Sequence, residues 1–376
     1  MFNQARAIQK EVVKQLEFDI ENGYVAQSNL FYGKEFSGKL TCALDFIEAL
    51  SKDNSDFSVL NTPSLFIFSS RNNKLRIDAN LALWSKYSNT FFRKRVIKEI
   101  RIFLSQFQDK VSVLSAKDND ALKINTLGDL LTEISQEKEY TSKEVADYIS
   151  KLKALLQPIF KKFERSQGLS IDQIRLIQDW LQMSDGKTNK FVILENIETI
   201  SMGAKNSLLK LLEEPPANSY IILISSVPNK LLDTILSRVR KYEFFPISAT
   251  STNEILQNKY YSKGDNFYEF FLSSAYGDDF KEFENYSKLF VSAIKAGKRI
   301  DSNTENNLCQ ILDCYNTYDY FYSLVAKELK NLLIMGQFTP LKCKTVMNKF
   351  DSIIKEGQIY NQNSHNILER LVRECI

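Results

Sequence analysis

The chain has 376 residues, 44% of them hydrophobic and 25% charged, with 49 Lys and Arg against 46 Asp and Glu for a net charge of +3. That length allows two or three domains, and so small a net charge excludes a globally basic nucleic-acid binder, leaving any such contact to a local patch. No apolar run reaches the ~20 residues of a membrane span and the N-terminal stretch lacks an apolar signal core. Cys42, Cys309, Cys314, Cys343, Cys375 and the single His365 form no metal-binding or disulfide pattern. The expectation is a reduced, cytoplasmic, metal-free chain with no membrane association.

Within residues 4–22, Ala7, Val12, Val13, Leu16 and Ile20 recur at a helical period and predict an amphipathic helix. The run NLFYG (29–33) reads as a short buried strand. It enters the spacing Gly33-x-x-x-x-Gly38-Lys39, and the apolar pattern from Lys39 to Leu50 suits a helix. A second strand is expected in FSVLNTPSLFIFSS (57–70). Residues ~75–165 are helical in pattern and rich in Lys, Glu and Ser, and read as an insertion. Inside it, 86–110 holds seven basic and two acidic residues, a balance of +5, with an apolar stripe of Phe92, Val96, Ile100, Phe103 and Phe107. This predicts a basic amphipathic helix whose charged face is either solvated or in contact with phosphate or an acidic partner.

Continuously apolar strands return in KFVILENI (190–197), YIILISS (220–226) and YEFFP (242–246), as in sheets covered on both faces. Between them, Ala204, Leu208, Leu211 and Leu212 share one helical face, and Pro215-Pro216 stop that helix. Alternating strands and helices make residues 1–246 an α/β domain with a mostly parallel sheet. After Pro246 the pattern is helical throughout. STNE (251–254) resembles a capping box leading into the next helix. Gly264 and Gly277 punctuate a small helical unit reaching Gly297, and helices including 320–335, 343–356 and 364–375 form a C-terminal bundle.

The glycines of the 33–39 loop let backbone N–H groups converge on phosphate oxygens, with Lys39 reaching the terminal phosphates. The full motif next requires Ser or Thr to hold magnesium. Leu40 stands there, and Thr41, one residue late, points about 100° away on a helix. Glu195 ends the 190–195 strand, where an acid helps hold magnesium in phosphate-loop ATPases. Asn196 follows where such enzymes place a glutamate, and an amide cannot act as general base.

The stretch SLLKLLEEPPANSYIILISSVPNKLLDTILSRVR (207–240) resembles the bacterial DNA polymerase III clamp loader, in its LLKLLEEPP, its strand ending in Ser225-Ser226 and its TILSR. The resemblance covers residues 1–50 and 168–246. It implies an AAA+ P-loop domain over 1–246 with the helical insertion at about 75–165, a small helical lid over 247–297 and a C-terminal helical collar over 298–376. It also implies that Gly33, Gly38, Lys39, Thr41, Glu195 and Ser225 line a nucleotide site, and that Arg238 is an arginine finger acting in trans. Val239 replaces the family's cysteine after that arginine.

The departures at Leu40 and Asn196, and Phe280 near the place of a second-sensor arginine, point to the delta-prime subunit rather than the hydrolysing gamma or tau subunit. The chain also lacks the cysteine cluster that commonly binds zinc after the loop in the motor subunit. The expected partners are the gamma/tau and delta subunits, the sliding clamp and, through the complex, primer-template DNA. No cofactor is required, and any residual ATP binding leads to no hydrolysis. Two other readings stay open at this stage, an active clamp-loader ATPase and a DNA-binding accessory protein using the 86–110 helix.

Overall fold

Among the described residues, short runs rich in β-branched and aromatic residues form five parallel strands. They are β1 (Ser28–Gly33), β2 (Leu65–Phe68), β3 (Lys190–Glu195), β4 (Ser219–Ser225) and β5 (Arg240–Phe244), in the order β2-β3-β4-β1-β5. The computed structural model describes residues 2, 5–51, 57, 59, 60, 62–107, 119–163, 169–183, 188–359 and 364–375. It separates into two units, residues 1–275 and 276–376.

Strand alternation divides the first unit into two cores. Phe31, Ile193, Ile222 and Ile224 face one side, where α1 (Lys10–Glu21) and α2 (Lys39–Leu50) bury Val12, Val13, Leu16, Cys42, Phe46 and Ile47. Leu30, Val192, Leu194, Ile221 and Leu223 face the other side. There, α7 (Ile171–Gln182), α8 (Met202–Glu213) and the short α9 (Asp233–Leu236) bury Ile174, Ile177, Trp180, Leu208, Leu211 and Ile235. Buried on both faces, β2, β3 and β4 read as nearly continuous apolar runs. The expected buried strand at YEFFP is corrected: β5 lies at the end of the sheet and alternates, with Lys241 and Glu243 exposed and Tyr242 and Phe244 buried. The N-terminal helix starts at Lys10; residue 4 of the expected helix lies outside the described residues.

Between β2 and β3 the chain forms α3 (Asn73–Tyr87), α4 (Thr90–Ser105), α5 (Asn119–Ile134) and α6 (Ser142–Phe163) before reaching α7. The sheet ends at β2, whose Ile67 N–H is met by the Ser105 hydroxyl of α4 at 2.8 Å. The added helices thus satisfy part of an edge that would otherwise be open to pairing.

The expected basic helix over 86–110 is corrected by this packing. The helix itself is Thr90–Ser105, and residues 108–110 lie outside the described residues. Its apolar stripe is buried, but so is Arg93, at 4% exposure. Arg93 donates to the Lys138 carbonyl and lies over the Tyr140 ring, and Arg101 donates to the Val59 carbonyl at 2.8 Å. Neighbours therefore cover both faces of the helix, and several of its cations serve the interior. A tally of charges along the chain cannot detect this, because α4 packs against α3, α5 and β2 together.

The expected capping box at 251–254 is also corrected. Helix α10 runs Ala249–Tyr260, and Ser248 caps it by accepting the Ser251 N–H at 3.1 Å. The serine just after Pro246 captures the helix start one turn earlier, leaving STNE inside the helix. Helix α11 follows at Phe267–Tyr276.

The second unit is helical, with α12 (Glu282–Ala296), α13 (Ser302–Tyr315), α14 (Tyr318–Ile334), α15 (Pro340–Ile359) and α16 (Ser364–Cys375). Phe290, Phe321 and Phe350, one each from α12, α14 and α15, meet with ring centroids 5.7 to 6.1 Å apart. Gly297 ends α12 in the left-handed conformation at φ +62°, a common glycine stop. Among the described residues, no helix is long and apolar enough to cross a membrane.

Candidate functional site

All five strands being parallel, their C-terminal ends share one edge of the sheet, the edge at which open parallel sheets collect ligands. Gly33, Glu195 and Ser225 end β1, β3 and β4 there. Gly33 has φ +148°, and a Cβ on it would lie 2.1 Å from the Phe244 carbonyl oxygen of β5. Both its conformation and the closeness of β5 demand glycine. Gly38 caps α2 in the left-handed region at φ +86°.

Lys39 is 6% exposed and folds back onto its own loop. Its Nζ donates to the carbonyls of Gly33 at 2.5 Å and Lys34 at 2.6 Å, and to the Ser37 hydroxyl at 3.4 Å. Burial lowers its pKa to about 8 against the opposing pull of Glu195, Glu35 and Glu198. Leu40, the next residue, packs against the core on the α1–α2 side, while Thr41 is half-buried in the first turn of α2.

The Glu195 carboxylate is already engaged. It accepts the Ser69 hydroxyl at 2.5 Å and lies 3.7 Å from Arg71 Nε. Arg71 turns its Nη2 to Glu99 at 2.7 Å. Burial would raise the Glu99 pKa, but Arg71, Arg76, Arg95 and Lys98 outweigh it and hold the carboxyl below its ordinary value.

Asn196 adopts the left-handed conformation at φ +53°, and its carbonyl accepts the Thr199 N–H at 2.9 Å. Glu198 accepts the Ser226 N–H at 2.9 Å through Oε1, while its buried Oε2 accepts no hydrogen bond. Ser225 Oγ accepts the Val227 N–H at 3.2 Å.

The structure thus gathers Gly33, Gly38, Lys39, Glu195 and Ser225 at one sheet edge. Arg238 is held elsewhere, just after α9, where its guanidinium meets Glu213 and the Thr234 carbonyl. Phe280 belongs to the helical unit of residues 276–376 and stacks on Tyr320 with ring centroids 5.8 Å apart. Sequence reasoning missed Ser69, Arg71 and Glu198. The position of Ser69 and Arg71 just past the end of β2 was an available signal, since every parallel strand ends at this edge. Among the described residues, no group of three or more His, Cys, Asp or Glu side chains could hold a metal ion.

Residues 93–248 match the family described as DNA polymerase III, delta subunit. The chain is 34% identical over 89 residues to DNA polymerase III subunit tau of Bacillus subtilis, a match covering 23% of this chain and 16% of the relative. It is 35% identical over 92 residues to the delta′ subunit of the same organism, covering 24% of this chain and 28% of the relative. With the delta′ subunit of Pseudomonas aeruginosa it shares 40% identity over 76 residues, covering 20% of this chain and 23% of the relative. The chain therefore spans less than a third of the length of these curated relatives. The chain is thus similar, over a part that includes residues 93–248, to tau and delta′ subunits of DNA polymerase III.

Proposed function

We propose that the chain is a delta-prime-like, non-hydrolysing subunit of a DNA polymerase III clamp loader. It would work in the cytoplasm with gamma/tau and delta subunits, helping to open the sliding clamp and place it on primer-template DNA. In this reading residues 1–246 are the AAA+-like domain, 247–297 the lid and 298–376 the collar through which the subunit assembles.

The observation that carries the proposal is the state of Glu195. The acid that would hold a nucleotide's magnesium is instead bonded to Ser69 and faces the fixed cation Arg71. Leu40, in the place of the second magnesium ligand, packs against the core. A guanidinium at this carboxylate supplies the positive charge a metal would supply, and it cannot exchange or be lost. Asn196 offers no general base. A ring ATPase needs each nucleotide site completed by its neighbour, so an end subunit can lose its own chemistry and still donate Arg238.

Co-purification from the source cells, with stoichiometry determined, tests the assignment. Recovery with clamp-loader subunits supports it, and recovery alone or with unrelated proteins overturns it. The motor reading is favoured by one observation, the match to a tau subunit with the loop glycines kept in their left-handed and tightly packed positions. ATP turnover by the isolated chain separates the two.

A further inference from the structure

The second unit brings the ends of three helices together at one corner. Lys295 Nζ of α12 donates to Gln337 Oε1, in the turn between α14 and α15, at 2.8 Å. At the start of α15 the Cys343 thiol donates to the Leu329 carbonyl of α14 at 3.8 Å. The turn itself is fixed by backbone bonds from Gly336 to Leu333 and from Gln337 to Leu332.

This corner leaves apolar surface in water. Ile334 and Leu341 are each 75% exposed and Met335 67%, although Phe338 between them is buried. Single exposed apolar side chains are ordinary, but three around one turn, rimmed by polar residues, form the kind of patch that marks a protein contact.

Cations surround the patch. The segments 295–301 and 327–344 hold seven basic residues and two acidic ones, in a chain whose net charge is only +3. Lys298, Arg299, Lys330 and Lys344 are exposed and form no ion pair with any described residue. Lys330 lies one turn before Ile334 on the same helical face. Of the two acids, Glu328 is half-buried, and Asp301 is engaged in capping α13, where it accepts the Thr304 N–H at 3.0 Å.

The fold does not call for the lysines at the start of α15. Thr339 caps that helix by accepting the Lys342 N–H at 3.2 Å. A threonine cap is best completed by Glu or Gln three residues later, and the positive end of a helix favours acids throughout its first turn. Lys342 stands at that third position, Lys344 follows, and the first turn holds no acid. Exposed cations placed where the helix itself would be steadier with a carboxylate point to a need outside the chain.

We propose that the turn 334–344, with the end of α12, is a docking surface for an acidic peptide segment that carries apolar residues. Ile334, Met335 and Leu341 receive the apolar side chains, while Lys298, Arg299, Lys330, Lys342 and Lys344 face the carboxylates. One partner of this chemistry covers the apolar patch and relieves the repulsion among the cations. Nucleic acid fits the corner less well, because single strands stack their bases on exposed aromatic rings. Phe338, the aromatic residue of this turn, is buried and lies beneath Lys342, whose Nζ is 4.6 Å from the ring centroid. The surface lies wholly within residues 276–376, and its occupancy does not depend on the clamp-loader assignment.

The test is titration of the full chain into a labelled synthetic peptide rich in Asp and Glu with Leu and Phe at helical spacing, read by fluorescence anisotropy across a salt series. The same peptide with Ser for Leu and Phe, labelled single-stranded and duplex DNA, and phosphatidylserine vesicles serve as competing probes. Saturable binding of the first peptide is expected, weakening as salt rises and at least about tenfold tighter than that of the serine version. The double variant Lys342→Glu with Lys344→Glu should lose at least about tenfold in affinity. Its melting temperature should stay at or above that of the wild type, since the glutamate completes the cap. Ile334→Ser with Leu341→Ser should weaken binding without changing its salt dependence. Lys298→Glu with Arg299→Glu, outside any helix, is the further variant should either pair fold poorly.

Four results would overturn the proposal: no saturable binding, equal affinity for the serine peptide, wild-type affinity in the lysine and apolar variants, or tighter binding of DNA or vesicles than of the peptide. The last would assign the cations to phosphate groups. Lack of peptide binding would leave the clamp-loader assignment standing, and failure of that assignment would leave peptide binding measurable.

Discussion

Glu213, the first acid of the LLKLLEEPP run, binds the Arg238 guanidinium through one oxygen, at 2.7 Å to Nε and 2.5 Å to Nη2. Arg238 Nη1 also donates to the Thr234 carbonyl at 2.7 Å, so the arginine is aimed by α8 and α9 together. Two motifs that look separate in the sequence thereby become one device, an arginine and the acid that holds it. Its side chain remains 32% exposed, accessible to a neighbour.

Arg238→Ala should leave the isolated chain folded, since exposed pairs of this kind contribute less than ~1 kcal/mol. Losing an arginine finger costs ~10³–10⁵ in rate at the site it serves. Other sites in a ring still turn over, so DNA-stimulated hydrolysis by the assembled loader should fall by less than this. Glu213→Ala should produce a smaller loss of the same kind. A wild-type rate in the Arg238→Ala complex would make the residue an ordinary surface arginine.

Gly33→Ala should destabilise the chain by ~3 kcal/mol or more, combining a disfavoured φ with a collision against the Phe244 carbonyl. Thermal unfolding measures it. A change below 1 kcal/mol, on the order of a surface substitution, would mean that β5 yields freely at this point.

Lys98 gives a pH-dependent prediction. Burial first, then the positive charges of Arg95 and Arg71, lower its pKa to about 8, with Glu99 and Asp45 opposing. The unfolded chain retains that proton up to the ordinary lysine value near 10.5. Between about pH 8 and 10.5 the unfolded state therefore binds more protons, and the wild type gains stability from this group as pH rises. Lys98→Met should be more stable than wild type by about 1 kcal/mol at pH 7, after allowance for partial exposure. That advantage should shrink toward pH 10. A difference constant from pH 7 to 10 would contradict the shift.

Arg93→Glu should lower stability by ~3 kcal/mol or more, because it buries an unpaired carboxylate where Arg93 meets the Lys138 carbonyl and the Tyr140 ring. Lys94→Glu, on a half-buried neighbour, should cost under 1 kcal/mol. Equal melting temperatures for the two variants would restore the view of a freely solvated basic face.

The strands and the loop were legible because their signals are local. Phe191–Leu194 and Ile221–Ile224 announce burial on both faces, and Gly33, Gly38 and Lys39 carry backbone requirements independent of the rest of the chain. What escaped the sequence depends on pairing across distance. Arg71 and Glu195 are 124 positions apart, and only the parallel sheet brings them to one edge. The burial of Arg93 depends on α5, α6 and the turn between them, and Ser248 won the helix start from STNE by a competition between neighbouring caps. The Glu213–Arg238 pair lay within two recognised motifs but required the geometry of α8 and α9 to appear.

Steady-state ATP turnover by the purified chain with magnesium, beside its Lys39→Ala and Leu40→Thr variants, tests the central claim most directly. The account expects all three at background. Leu40→Thr alone restores one magnesium ligand, while Glu195 stays engaged by Ser69 and Arg71 and no base replaces Asn196. Turnover by the wild-type chain that disappears in Lys39→Ala would contradict the account and assign the chain to the hydrolysing subunits.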